Sequence, residues 1–128
     1  MTERCPFCDI APERVVARNS LAIALWDGFP VSEGHALVIP REHTANLFDL
    51  PGQTRAALWQ LVAEVRNELQ FDLAPAGFNI GLNDGVAAGQ TVMHVHIHVI
   101  PRYKGDVKDP RGGIRCVIPG KASYWKDG

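Results

Sequence analysis

Apolar positions along the chain fall into short alternating runs interrupted by one long stretch of helical period. Residues 14–18 and 21–26 read as two strands around a turn at Asn19-Ser20. Residues 34–40 form an apolar run bounded by Gly34 and Pro40, which suits a buried strand. From Pro51 the period changes. Leu58, Leu61, Val62, Val65 and Leu69 recur at helical spacing and predict an amphipathic helix with one apolar face. Asp49 and Pro51 suit its start, and Asp72 and Pro75 are expected beyond its end. Phe78, Ile80 and Leu82 then alternate with Asn79, Gly81 and Asn83, as in a half-buried strand. A turn-rich loop follows to Gln90. The last alternation places Val95, Ile97 and Val99 toward a core and ends at Pro101. Strands outnumber helices, so the pattern predicts an α+β fold with the helix on one face of an antiparallel sheet.

Composition narrows the class. The chain has 128 residues, 46% of them hydrophobic and 21% charged, which fits one compact domain over 1–128 with a C-terminal tail at 104–128. The formal net charge is -1, which argues against nucleic-acid binding through a basic surface. No apolar run approaches the ~18–20 residues that cross a bilayer. The first residues lack the apolar core of a signal peptide, so a cytoplasmic location is expected. The cysteines are Cys5, Cys8 and Cys116. An odd count in that compartment points to reduced thiols, and Cys5 and Cys8 read as metal ligands before they read as a disulfide. Cys116 has no evident partner. Trp26, Trp59 and Trp125 read as packing residues, and Tyr124 with Trp125 suggests that the tail docks on a surface.

Three of the five histidines alternate within seven residues: His94-Val95-His96-Ile97-His98-Val99-Ile100. On a strand they share one face, roughly 7 Å apart. That spacing is too wide for all three to ligate one metal, so a division of labour is expected. The preceding loop, with Gly85, Gly89 and Gln90, can bring backbone N–H groups to an anion. His35, just after Gly34, reads as a packing histidine.

The run from His94 to Ile100 resembles the His-φ-His-φ-His-φ-φ signature of the histidine-triad superfamily of nucleotide hydrolases and transferases. Asp27, Pro30-Val31 and the run from Gly34 to Pro40 look like that family's nucleoside-binding segment. Gly89-Gln90-Thr91-Val92 resembles the segment before the triad in the diadenosine polyphosphate hydrolase and fragile-histidine-triad branch.

The resemblance implies a five-stranded antiparallel sheet with one long and one short helix. It implies a nucleotide hydrolase acting at an α-phosphate, with His96 as the nucleophile and a covalent nucleotidyl-histidine between two displacements. His98 would stabilise phosphate charge and help protonate the leaving group. Gln90, Thr91, Gly89 and Asn83 would contact phosphate, and Asp27 the ribose hydroxyls. Dinucleoside polyphosphates are the first substrate expectation. A nucleoside phosphoramidase and a nucleotide-binding sensor are the alternatives. Adenine is the favoured base, no organic cofactor is expected, and a homodimer through the helix and an edge strand is implied. Cys5 and Cys8 with His43 and His94 would form a closed structural zinc site, as in several bacterial members.

Overall fold

The computed structural model describes residues 5–125. Its strands in chain order are β1 (Val15–Arg18), β2 (Ala22–Trp26), β3 (Ala36–Pro40), β4 (Gly77–Gly81) and β5 (Ile97–Arg102). One helix, α1 (Gly52–Leu73), separates β3 from β4. All neighbours pair antiparallel in the order β1-β2-β3-β5-β4. The last strand is therefore inserted between β3 and β4, and β4 is left at an edge. The expected α+β fold with a five-stranded antiparallel sheet is the observed one. No helix among the described residues is long and apolar enough to cross a membrane.

Local chemistry explains the elements. The β1–β2 turn is held by Asn19, whose Oδ1 accepts from the N–H groups of Leu21 at 3.0 Å and Ala22 at 2.8 Å. Its amide also donates to Ala57 O on α1 at 3.0 Å, tying hairpin to helix. Leu58, Leu61, Val62, Val65 and Leu69 are the buried stripe of α1, as their spacing requires. They meet Ala24, Val38, Ile97 and Val99 from the sheet in one core. Ala74 ends the helix in the left-handed region at φ 47°, and Pro75 cannot continue it. Gly34 is required by space as well as conformation. Its φ is 88°, and a Cβ there would sit 2.6 Å from Leu73 Cδ1.

Several boundaries differ from expectation. The helix runs through Asp72 to Leu73. Asp49 closes a 3-10 turn, Leu47–Asp49, whose N–H cap is Asn46. The short second helix is realised among the described residues only as 3-10 turns, including Val86–Ala88 and Gly113–Val117. β5 begins at Ile97 and continues through Pro101 to Arg102. Before it, Val95 N–H donates to Thr44 O at 2.8 Å, outside the sheet ladder. Trp26 and Trp59 keep 39% and 44% of their surface exposed, so neither is a core residue.

The alternation itself holds. Val95, Ile97 and Val99 are buried in the core under α1. The histidines between them belong to the other face, which carries a smaller cluster of Leu25, Leu37 and Ile39 with Phe7 and Ile10 against it.

Candidate active site

The three histidines occupy three different environments. His94 is fully buried. Its Nε2–H donates to Pro40 O at 2.8 Å, which leaves Nδ1 as a lone pair. That nitrogen faces the N-terminal loop, 3.4 Å from Cys5 Sγ and 3.7 Å from Cys8 Sγ. His43 Nδ1 completes the group, 3.2 Å from Cys8 Sγ and 3.2 Å from His94 Nδ1.

All four ligand atoms lie within 4.8 Å of one another. A tetrahedral zinc with bonds of about 2.3 Å to sulfur and 2.0–2.1 Å to nitrogen separates S and N by about 3.5 Å and two nitrogens by about 3.3 Å. The donor set and its spacing fit that ion. Burial keeps His94 below its ordinary pKa and hence neutral, as a ligand must be. The Cys5 thiol, hydrogen-bonded to Cys8, pushes the Cys8 thiol up. A dication at the centre would reverse that by taking both as thiolates.

His96 Nδ1–H donates to the carbonyl of His94 at 2.8 Å. Its Nε2 therefore carries a lone pair, the arrangement a nitrogen nucleophile needs. The ring lies 5.3 Å from that of His98 and 5.1 Å from that of Phe7, centroid to centroid.

His98 is ordered by a chain that begins in the backbone. Val31 N–H donates to His35 Nδ1 at 3.1 Å. That forces the proton of neutral His35 onto Nε2, which lies 2.9 Å from His98 Nδ1. His98 Nδ1 accepts, so its own proton sits on Nε2. Burial first, then His96 and His35, lower the pKa of His98 to about 4, against an opposing pull from Asp27. His98 is a neutral hydrogen-bond donor at neutral pH, not a charged acid. Burial also lowers His35, with Asp27 opposing. Asp27, His35 and His98 are close enough to suggest a second metal cluster. Both nitrogens of His35 and Nδ1 of His98 are already committed to this hydrogen-bond chain, which accounts for the grouping without an ion and leaves only His98 Nε2 to face outward.

A cavity of about 340 Å³ opens over His96 and His98. Phe7 and Leu37 supply apolar lining, and Arg14, Asp27, Asn83 and Thr91 supply polar lining. Asp27 has two engagements: Oδ1 accepts from Phe29 N–H at 2.7 Å, and Oδ2 lies 3.3 Å from His35 Nε2.

The structure thus brings His96, His98, Asp27, Asn83 and Thr91 to one cavity. It does not bring Gln90 or Gly89 there. The Gln90 amide is buried and fully used: Nε2 donates to Ala45 O and Val92 O, and Oε1 accepts from Gly85 N–H. It shapes the loop and has no donor left for phosphate. Gly89 ends the Val86–Ala88 turn at φ 104°. His35, assigned to packing from the sequence, is the link that sets the proton on His98. Its signal was a polar residue two positions before Leu37, which pairs with His98 across β3 and β5.

Comparison with known proteins gives a consistent result. The model of the HIT domain family matches residues 10–105. The adenosine 5'-monophosphoramidase hnt1 of Schizosaccharomyces pombe is 37% identical over 77% of this chain and 74% of its own. The asymmetrical bis(5'-nucleosyl)-tetraphosphatase of the same organism is 38% identical over 75% of this chain and 53% of its own. The crystal structure of a zinc-bound histidine triad family protein from Mycobacterium smegmatis superposes with a TM-score of 0.72 at 34% identity, covering 96% of this chain and 82% of the other.

Proposed function

Because the chain belongs to the HIT domain family, we propose that it is a nucleotide hydrolase that cleaves AMP-X compounds at the α-phosphorus through a covalent nucleotidyl-His96. The observation that carries this reading is the proton order around the cavity. His96 presents a bare Nε2 because Nδ1–H is held by His94 O. His98 presents Nε2–H because Nδ1 is held by His35. A nucleophile and a donor thus face one space.

In the first step His96 Nε2 attacks the α-phosphorus and the bond to X breaks. Charge that builds on the phosphoryl oxygens meets His98 Nε2–H, with Thr91 and Asn83 as further donors. The His94 carbonyl stabilises the positive imidazole formed on phosphorylation. Water then displaces His96 and releases AMP. The nucleoside would rest against Phe7 and Leu37, with adenine as the base and Asp27 on the ribose hydroxyls.

Zinc at Cys5, Cys8, His43 and His94 would pin the N-terminal loop to the catalytic segment, outside the reaction. The zinc-bound M. smegmatis relative supports that ion. A homodimer through the exposed edge of β4 and α1 is supported by the exposure of Trp59 and Phe71 on that helix, 44% and 88%. The two S. pombe relatives favour different leaving groups at nearly equal identity, so they leave X open.

The test is AMP release from diadenosine tri- and tetraphosphate and from adenosine 5'-phosphoramidate, with His96→Ala as control. Release that vanishes in a folded variant still able to bind AMP supports the reading. Near-normal turnover by His96→Ala refutes it. AMP binding by the native protein without release from any substrate would mark a binding module.

A further inference from the structure

The face of the sheet opposite α1 carries a second cavity, away from His96. The N-terminal loop crosses this face, with Phe7 and Ile10 packed against the cluster of Leu25, Leu37 and Ile39. Between loop and β1–β2 hairpin lies a space of about 320 Å³. Ile10 and Pro12 line it from the loop, and Val15 and Ile23 from the strands. Arg18 and Arg41 line it as well, and no acidic side chain does. Phe7 is the one lining residue it shares with the cavity over His96.

Strand register brings the two arginines here. β1 slips its pairing between Val15 and Ala17, so that Val15 stands opposite Leu25 and Arg18 opposite Ile23. In an unbroken strand, residues three apart point to opposite faces, and Arg18 would turn toward α1. The irregularity re-aims it to the face that Val15 and Ile23 occupy. Arg41 comes from the other side. Ile39 pairs with Ile23, and Arg41, two residues further on, belongs to the same face. Its N–H donates to Leu21 O at 3.0 Å, which continues the ladder past the end of β3.

The two guanidiniums differ in what they have left to give. Arg41 Nε and Nη2 donate to Asn19 O at 3.2 and 2.9 Å. Those bonds hold its head at the hairpin turn, beside the residue that follows Arg18, and leave Nη1 facing outward. Arg18 is exposed and makes no hydrogen bond or ion pair among the described residues. Asp9, in the same loop, is engaged elsewhere and does not line the cavity. Two like charges thus share one space without a counter-charge, which favours an anion between them.

We propose that this cavity is a second binding site, for a small phosphate monoester with an apolar body. Two guanidiniums match the charge of a phosphate dianion and offer forked donors to its oxygens. Anchoring of Arg41 in advance lowers the ordering that binding costs. Ile10, Pro12, Val15 and Ile23 receive the hydrocarbon part. At about 30 Å³ per water the space equals roughly ten waters, enough for a phosphate and one ring and too little for a nucleotide. The site is independent of the reaction proposed at His96.

The experiment is an amide NMR titration of the full chain, purified without chelator, at constant ionic strength. The probes are phenyl phosphate, benzoate, inorganic phosphate and phenol. Phenyl phosphate should shift the amides of Val15, Arg18, Ile23 and Arg41, and excess AMP should not displace it. Benzoate and inorganic phosphate should each bind about tenfold more weakly, one lacking charge and the other the apolar body. Phenol should not bind. Arg18→Gln breaks no bond among the described residues, so it should keep the native melting temperature and lose about tenfold or more in affinity for phenyl phosphate. Arg18→Lys, which keeps the charge without the fork, should fall between the two. Affinity in Arg18→Gln within about twofold of native would overturn the proposal. So would shifts centred on Asn83, Thr91 and His96, displacement by AMP, or no binding at millimolar concentrations. Equal affinity for inorganic phosphate would mark an adventitious ion only, and equal affinity for benzoate would remove the phosphate assignment; either overturns it.

Discussion

Replacing His35 tests the proton order directly, because its imidazole is buried and is not among the residues that line the cavity over His96. The side chain is 3% exposed and makes two bonds that count, from Val31 N–H at 3.1 Å and to His98 Nδ1 at 2.9 Å. His35→Ala leaves both partners unsatisfied in a dry site. One such group costs about 1–3 kcal/mol, so a loss of about 2–4 kcal/mol is expected in urea unfolding. The functional effect is separate. Without its partner, His98 is free to rotate and to exchange tautomers. Losing the orienting partner of a working imidazole costs about 10–100-fold, and the loss should fall on kcat if the His98 donor bond strengthens in the transition state. His35→Gln, which can still donate to Nδ1, should recover part of it. Nitrogen NMR of the imidazoles gives an independent readout: His98 should show a protonated Nε2 and a bare Nδ1 between pH 6 and 8. A proton on Nδ1, or a folded His35→Ala with kcat within about threefold of native, would refute the relay.

Three other outcomes follow from the same geometry. His98 has a folded pKa of about 4, below the ordinary 6.5, so the unfolded chain binds more protons between those values. Stability present above pH ~6.5 should fall as pH drops through that window, by up to roughly 3 kcal/mol, and His98→Gln should flatten the slope of urea midpoints against pH; equal slopes would refute it. Gln90→Ala removes the bonds to Ala45, Val92 and Gly85 and should cost about 1–3 kcal/mol in thermal or urea unfolding, a result incompatible with a purely phosphate-binding role if it is seen without nucleotide. Chelation, or Cys8→Ser, should lower the melting temperature and raise KM more than it lowers kcat, because Phe7 lies between the two cysteines and forms the cavity wall; metal analysis showing no bound zinc in the native protein would remove the basis of that expectation.

The part of the site that a reader of the sequence can see is the part with local periodicity. Alternation sets His94, His96 and His98 apart from Val95, Ile97 and Val99, and the two-residue spacing of Cys5 and Cys8 suits one metal. The helix stripe is visible for the same reason. What stays hidden depends on register or on side-chain reach across the fold. His35 acquires its role only because β3 and β5 pair Leu37 with His98, a contact between residues 61 positions apart in sequence. Gln90 looks like a phosphate ligand because it stands before the triad, yet its amide bends back to Ala45. The bracing of the tail joins Arg111 to Trp125 through a ring contact that no periodic pattern announces. The start of β5 is misread because the segment at His94–His96 alternates like a strand while Val95 bonds to Thr44 instead of a neighbouring strand.

That departure from the sheet has a consequence for the chemistry. A residue in a regular ladder commits its carbonyl to the next strand. At His94 the carbonyl is instead available to His96 Nδ1–H, at 2.8 Å. One residue therefore works in two directions. Its imidazole lone pair turns toward Cys5, Cys8 and His43, and its carbonyl fixes the tautomer of His96. The third bond, from His94 Nε2 to Pro40 O, anchors the same residue to the end of β3. Holding His94 still would thus hold the Nδ1 proton of His96, the proposed nucleophile, in place. A metal held by Cys5, Cys8, His43 and His94 would thus steady the proposed catalytic segment from outside the cavity, since none of the four residues lines it.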